Sequence, residues 1–322
     1  MHTMNRSRVA AATIHVAVLA GLTACADAPT LPHATTTPAA ANAAFGPKPA
    51  DGLLVFSSAA GAGGPQVYSY TMATKTMKQI TQYFSAHLGV SPDAKRVATI
   101  GPNLNGFGGT DLWMMNIDGS KADTITSYNF KFINSPSFSP DGKRLLFSAK
   151  DTVVGQDHLW MLDLKTRVLT TSGDPMKPAY EPEIAPDGSS IVFVGAALDG
   201  TYKPMLMNPA GTIVQQLPNI CPVGVECWEP TWSPDGTRIA FKTDDNVVMI
   251  YDIATKTSTT VATDAATPAW SPDGTRLAYS RRLALETPIE KSGIFARGVT
   301  VDLDETPLVR YTGFVWDLTW AK

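Results

Sequence analysis

Ser139-Pro140-Asp141-Gly142-Lys143-Arg144-Leu145-Leu146-Phe147 reads as a tight turn feeding a strand, and the chain repeats it. Proline presets φ, the Asp side chain can cap nearby backbone N–H groups, and Gly accepts a positive φ. The apolar run after the turn is a strand signal. The phrase returns as Ser233-Pro234-Asp235-Gly236 and Ser271-Pro272-Asp273-Gly274. Weaker copies are Ser91-Pro92-Asp93-Ala94 and Ala185-Pro186-Asp187-Gly188. The five turn Asp residues are spaced by 48, 46, 48 and 38 positions. Self-similarity at such a period marks a propeller, a solenoid or an array.

Each unit reads as four strands. Around Asp141 these are Asn134 to Phe138, Arg144 to Ser148, His158 to Asp163 and Val168 to Thr171. The third and fourth strands recur at Val67-Tyr68-Ser69-Tyr70, Leu112-Trp113-Met114-Met115 and Met249-Ile250-Tyr251-Asp252. Phe138, Trp232 and Trp270, just before the turn, are expected to pack between neighbouring sheets. Arg144, Arg238 and Arg276, just after it, are expected to be solvated or paired to turn carboxylates. Asp51 to Ser57 reads as a second strand lacking its first, and Val315 to Trp320 as a first strand lacking its turn. A sheet built from both would close a ring and remove open edges. The expected fold is all-β: a six-bladed β-propeller over 51–322, closed by pairing the N-terminal strand with the C-terminal strand.

The chain has 322 residues, a formal charge of -3, 17% charged residues, and 25 Gly and 24 Pro. No clustered basic excess points to nucleic acid. Arg6 and Arg8 precede the apolar stretch Val9 to Gly21, a signal-peptide pattern over 1–24. Leu22-Thr23-Ala24-Cys25 resembles the bacterial lipobox, which implies cleavage before Cys25 and a lipid on its sulfur. An ordinary signal peptide with a chance Cys is the alternative. Residues 25–50, rich in Ala, Thr and Pro, read as a disordered tether. Ala26 rather than Asp follows Cys25, which by the lipoprotein sorting pattern favours the outer membrane, facing the periplasm. Attachment would be through the N-terminal lipid only. Cys221 and Cys227 lie close in sequence, and such a pair tends to oxidise outside the cytoplasm. A disulfide is expected, with two reduced thiols as the alternative.

The repeat resembles that of the TolB-type propellers, in which Trp-Ser-Pro-Asp-Gly-Lys/Arg joins the inner two strands of each blade. The resemblance runs through nearly all of the chain after residue 50. It implies a non-catalytic protein–protein interaction scaffold in the cell envelope, monomeric, with envelope proteins as partners. No counterpart of the TolB N-terminal α/β domain precedes the repeats. Similar propellers also precede α/β-hydrolase domains in prolyl-oligopeptidase-like enzymes. No G-x-S-x-G elbow occurs here and the chain ends with the last blade, so no such domain and no catalytic residue is expected.

Candidate chemistry is sparse. Beyond the leader, the histidines are His33, His87 and His158, with no close metal-ligand spacing. Gly61 to Gly64 and Gly106 to Gly109 are expected to be surface connections. Aligning units on the turn gives one column of His87, Ser135, Glu181, Glu229, Thr267 and Asp317. A second, two residues later, is Gly89, Ser137, Glu183, Thr231, Ala269 and Thr319. Period-two alternation puts both on one side of the innermost strands. A channel mouth lined by Glu181, Glu183, Glu229, Asp317 and His87 is the expectation. Glu181, Glu229, Asp317 and His87 could hold a divalent cation through hard ligands, or the acidic mouth could receive a basic peptide. A solvated channel without a ligand is the alternative, and no other cofactor is expected. Tyr180, Trp228 and Trp316 fall one position before the acidic column, to pack between blades or to offer a ring to a protein or glycan. The runner-up function is a ligand-binding, hydrolytic or lyase propeller acting on peptide or saccharide at this mouth.

Overall fold

Residues 52–321 are described in the computed structural model, except 60–63, 104–108, 127–129, 131, 151–154, 174–176, 213, 284–291, 301–303 and 312. They belong to one compact unit, Ala39–Lys322. The leader 1–24, Cys25, the tether 25–50 with His33, and most of both glycine loops lie outside the described residues.

The described residues form six four-stranded antiparallel sheets. Blades 1 to 5 start at their innermost strands, Ala86–Val90, Phe132–Phe138, Ala179–Ile184, Cys227–Trp232 and Ala265–Trp270. Blade 6 is built from both ends of the repeat region. Its innermost strand, Phe314–Ala321, pairs with Leu53–Ala59 from Leu53↔Ala321 to Ala59↔Phe314. Gln66–Thr71 and Thr76–Gln79 complete that sheet. The missing first strand of one unit is thus supplied by the last.

Each sheet is sandwiched between two others, so a strand needs apolar residues on both faces. Leu145, Leu146 and Phe147 are all 0% exposed for this reason, and they read as a continuous apolar run rather than an alternating one. Leu145 and Phe147 pack on Ala98, Ile100 and Leu112 of blade 1, and Leu146 on Ile191 and Phe193 of blade 3.

The turn phrase works as a hydrogen-bonded unit. Ser139 Oγ donates to Asp141 Oδ1 at 2.6 Å and accepts the Arg144 N–H at 2.9 Å. Asp141 Oδ1 also accepts the Lys143 N–H, and Gly142, at φ 66°, donates its N–H to Ser139 O. These bonds hold the Asp141 carboxyl below its usual range, the Ser139 hydroxyl contributing most.

The arginines after the turn behave as expected at Arg144, which is exposed, and at Arg238, which is also engaged elsewhere. Arg238 does lie 4.0 Å from its own turn carboxylate Asp235, but its guanidinium also reaches the next blade. It donates to Gly274 O at 3.2 Å and stacks 4.7 Å from the Trp270 ring. Arg96 does the same with Gly142 O and Phe138. The short distance between adjacent turns makes the neighbouring carbonyl the nearer partner. Arg238→Ala should therefore lower stability by about 1–2 kcal/mol through the lost bond and ring contact. Arg144→Ala, at an exposed position, should change it by less than about 0.5 kcal/mol. Urea unfolding of both variants checks the contrast.

Candidate functional site

The acidic column sits where each innermost strand breaks step. Pairing jumps between Ala86 and Leu88, Asn134 and Ser137, Tyr180 and Glu183, Trp228 and Thr231, and Ala266 and Ala269. These are β-bulges, in which extra residues on one strand have no partner on the other. The bulge residues His87, Ser135, Glu181, Glu229 and Thr267 all have φ between 48° and 56°. In four of them a proline follows, at Pro136, Pro182, Pro230 and Pro268. Proline offers no N–H to a ladder, so a bulge is where a strand tolerates it. Blade 6 differs: the shift lies between Ser57 and Ser58, which leaves Trp316 unpaired and keeps Asp317 opposite Ser57.

The bulge aims each side chain at the next blade. Glu181 Oε2 accepts the Glu229 N–H at 2.6 Å, and Glu229 Oε2 accepts the Thr267 N–H at 2.8 Å. Asp317 Oδ2 accepts the Leu88 N–H at 2.9 Å and its Oδ1 the Leu318 N–H. The second column repeats the pattern two residues on. Glu183 Oε1 accepts the Trp232 N–H at 3.3 Å, and Ser137 Oγ the Ile184 N–H at 3.4 Å. Blades stand edge-on to the axis, so their side chains project towards neighbouring blades rather than straight into the channel. The carboxylates are staples from one blade to the next, and only their remaining surface lines the channel.

That channel is a cavity of about 530 Å³, with His87, Glu181, Glu183, Glu229 and Asp317 in its wall and the turn prolines around one end. Asp317 and Glu229 keep 25% and 28% of their side-chain surface open. Burial pushes the Glu181 carboxyl up to about 7, and the Glu229 charge adds to it. Burial likewise pushes Glu183 and Asp317 up to about 7. Glu229 is raised by burial and opposed by Lys242, whose Nζ lies 3.3 Å from Oε1. Burial holds His87 down at about 4, so it is neutral near pH 7 and its 3.9 Å approach to Asp317 carries no ion pair there. Among the described residues no three His, Cys, Asp or Glu side chains gather as metal ligands. Glu181, Glu229 and Asp317 each reach the backbone of the next blade, and His87 lies against Asp317.

The aromatic column divides. Tyr180 and Trp228 pack with Tyr202 between blades 3 and 4, at ring separations of 5.7, 6.1 and 5.4 Å. Trp316, left out of the pairing by its bulge, is 56% exposed. His158 is buried against Trp160 at 4.7 Å. Cys221 and Cys227 are joined, with Cα atoms 6.3 Å apart. Cys227 opens the innermost strand of blade 4. The positive-φ bulges were missed by sequence reasoning, although a proline at the same place in four inner strands is a readable signal for them.

Comparison with solved structures bears on the fold. TolB from Acinetobacter baumannii is 20% identical, with a TM-score of 0.68 over 85% of this chain and 68% of that one. A putative TolB from Agrobacterium tumefaciens is 17% identical, with a TM-score of 0.61 over 80% of this chain and 90% of that one. The fold is a TolB-type six-bladed propeller. The TolB-type architecture is shared more widely: an oligogalacturonate lyase from Vibrio parahaemolyticus is 15% identical, with a TM-score of 0.54 over 79% of this chain and 73% of that one. No family model matches the chain. The uncharacterized peptidase YuxL of Bacillus subtilis (strain 168) is 29% identical over 124 residues, 37% of this chain, and the match spans 18% of that relative.

Proposed function

We propose that this TolB-type propeller is an exported protein-interaction scaffold of the cell envelope, anchored through a lipid on Cys25 and binding its partner on one face of the ring. The observation that carries this reading is the use made of the acidic residues. Glu181, Glu183, Glu229 and Asp317 are engaged with the backbone of neighbouring blades. What they support is a rigid ring. The likeness to TolB structures supports the envelope setting.

The docking face proposed is the end at which the innermost strands begin. Trp316, Phe132 and Phe314 are 56%, 59% and 37% exposed there. Leu53 pairs with Ala321 at the opposite end. An exposed Trp is a frequent hot spot, and truncating one costs about 2 kcal/mol or more in binding. Affinity capture from envelope extract with the full chain should retain a protein partner. Trp316→Ala should weaken its retention at least about tenfold. Capture of no envelope protein, or equal retention by the variant, would overturn the reading.

The cavity itself favours a second reading, a site acting on saccharide or peptide beside Glu181 and Glu183. Turnover of an oligosaccharide or peptide by the purified chain, lost in Glu181→Gln, is its test.

A further inference from the structure

Blade 3 ends in a short outer strand, Val214–Gln216, and the chain then runs through Leu217–Glu226 before the innermost strand of blade 4 begins at Cys227. Between blade 4 and blade 5 the corresponding connection is only Thr263–Asp264. The long connection is lightly bonded. Ser258 Oγ donates to Ile220 O at 2.6 Å, the Val225 N–H to Pro222 O at 3.2 Å and the Asp244 N–H to Glu226 O at 3.0 Å. Val223 at its tip is 98% exposed. The Cys221–Cys227 bond closes this stretch into a small loop.

The bond is connected to the acidic column through the chain. Cys227 pairs with Thr243 and Trp228 with Lys242, after which pairing lapses and resumes at Thr231↔Ala240. The lapse is the bulge that carries Glu229, and it separates the start of the strand from the ladder beyond. Trp228 packs 5.4 and 6.1 Å from the Tyr202 and Tyr180 rings of blade 3. Glu229 donates its N–H to Glu181 and accepts that of Thr267. The disulfide thus fixes the start of a segment that ties blade 3 to blade 5.

A disulfide stabilises mainly by restricting the open chain. Without it, opening of residues 221–228 breaks two residue pairs and the ring contacts. It leaves in place the blade 4 core that includes Ala240, Val248 and Ile250. Local opening of this kind costs far less than global unfolding. The two sulfurs also differ in access. Cys227 is 0% exposed, whereas Cys221 is 9% exposed beside the open Pro222, Val223 and Gly224.

We propose that Cys221–Cys227 is a redox latch: its reduction by a dithiol releases Trp228 from Tyr180 and Tyr202 and loosens the Glu181 staple, with the rest of the ring intact. A thiolate of the dithiol attacks Cys221 Sγ, and the electron pair of the Cys221–Cys227 bond leaves on Cys227 Sγ. The second thiol of the dithiol then displaces Cys221. The dithiol is oxidised to its own disulfide, and its two protons end on Cys221 and Cys227. The latch does not rest on the scaffold reading.

The test uses the full chain carrying Cys25→Ser, which leaves Cys221 and Cys227 as its cysteines, with and without dithiothreitol. Iodoacetamide labelling and mass spectrometry report the free thiols. Reduction should raise hydroxyl-radical labelling of Trp228 at least about threefold and speed amide exchange across residues 221–229, while Phe241 stays protected. Reoxidation should reverse both changes. A bond that dithiothreitol does not open overturns the proposal. So does unchanged labelling and exchange in the reduced chain, or loss of protection at Phe241. Cys221→Ala combined with Cys227→Ala should resemble the reduced chain and ignore dithiothreitol, and a response there overturns the proposal as well. Should that variant fail to fold, the comparison of the reduced and reoxidised chains decides.

Discussion

Deleting residues 314–322 leaves a chain with no cooperative thermal transition. The deletion removes the innermost strand of blade 6, which pairs with Leu53–Ala59 along that strand's whole length. It strips Leu318 and Trp320, 5% and 6% exposed, from the cluster they form with Leu54, Phe56 and Tyr68. Loss of a buried Leu costs about 2–5 kcal/mol and of a buried Trp about 3–5 kcal/mol. Together these approach the whole stability of a typical domain, about 5–15 kcal/mol. The Asp317 staple to Leu88 goes as well, and Leu53–Ala59 becomes an open edge of the kind that invites aggregation. Circular dichroism melts and limited proteolysis read the result. A truncated chain that still unfolds sharply near the wild-type temperature would show that the ring does not depend on this closure.

Replacing Glu181 and Glu183 together by Gln stabilises the protein at pH 8. Burial is the largest cause for both carboxyls, which are pushed from the ordinary 4.5 up to about 7. A carboxyl raised in the folded state binds more protons folded than unfolded between those values. Its stabilising contribution is complete below the unfolded pKa and is lost as pH rises through the folded one. Wild-type stability should thus fall from pH 4.5 to 7 on account of these groups, opposite to the slope produced by salt-bridged carboxylates. Gln keeps an acceptor oxygen for the Glu229 and Trp232 N–H groups and never ionises. Because these side chains keep some contact with channel water, the gain at pH 8 is put at about 1–3 kcal/mol for the pair. It should vanish near pH 4. Glu229→Gln should not gain in the same way, since it takes the counter-charge from Lys242. Melting temperatures across that pH range check both. A double variant no more stable than wild type at pH 8 would mean that these carboxylates are not held at a cost.

Much of the fold was legible because the turn phrase carries its own mechanism. Ser139, Asp141 and Gly142 make the same bonds as Ser233, Asp235 and Gly236 and as Ser271, Asp273 and Gly274, so their recurrence counted blades directly. The incomplete units at Leu53 and Val315 gave the closure, because each lacked what the other supplies. The site was less legible. Alternation placed Glu181 and Glu183 on one side of a strand, which is correct, but it does not say what that side faces. Edge-on blades turn it towards the next sheet. The bulges at Glu181 and Glu229 were signalled by Pro182 and Pro230. Their partners, the amides of Glu229 and Thr267, are 48 and 38 residues away and leave no local mark. Trp316 looked equivalent to Tyr180 and Trp228. It differs because blade 6 bulges one residue earlier and has Leu318 where four other blades have proline.

The central claim is that the acidic column ties blades together. Hydrogen exchange at the Glu229 backbone amide tests it most directly, in the wild type, Glu181→Gln and Glu181→Ala. Bonded to Glu181 Oε2, that amide should exchange slowly in the wild type and in Glu181→Gln, and far faster in Glu181→Ala, while core amides such as those of Phe241 stay protected in all three. An exchange rate at Glu229 that is the same in the three proteins would contradict the account.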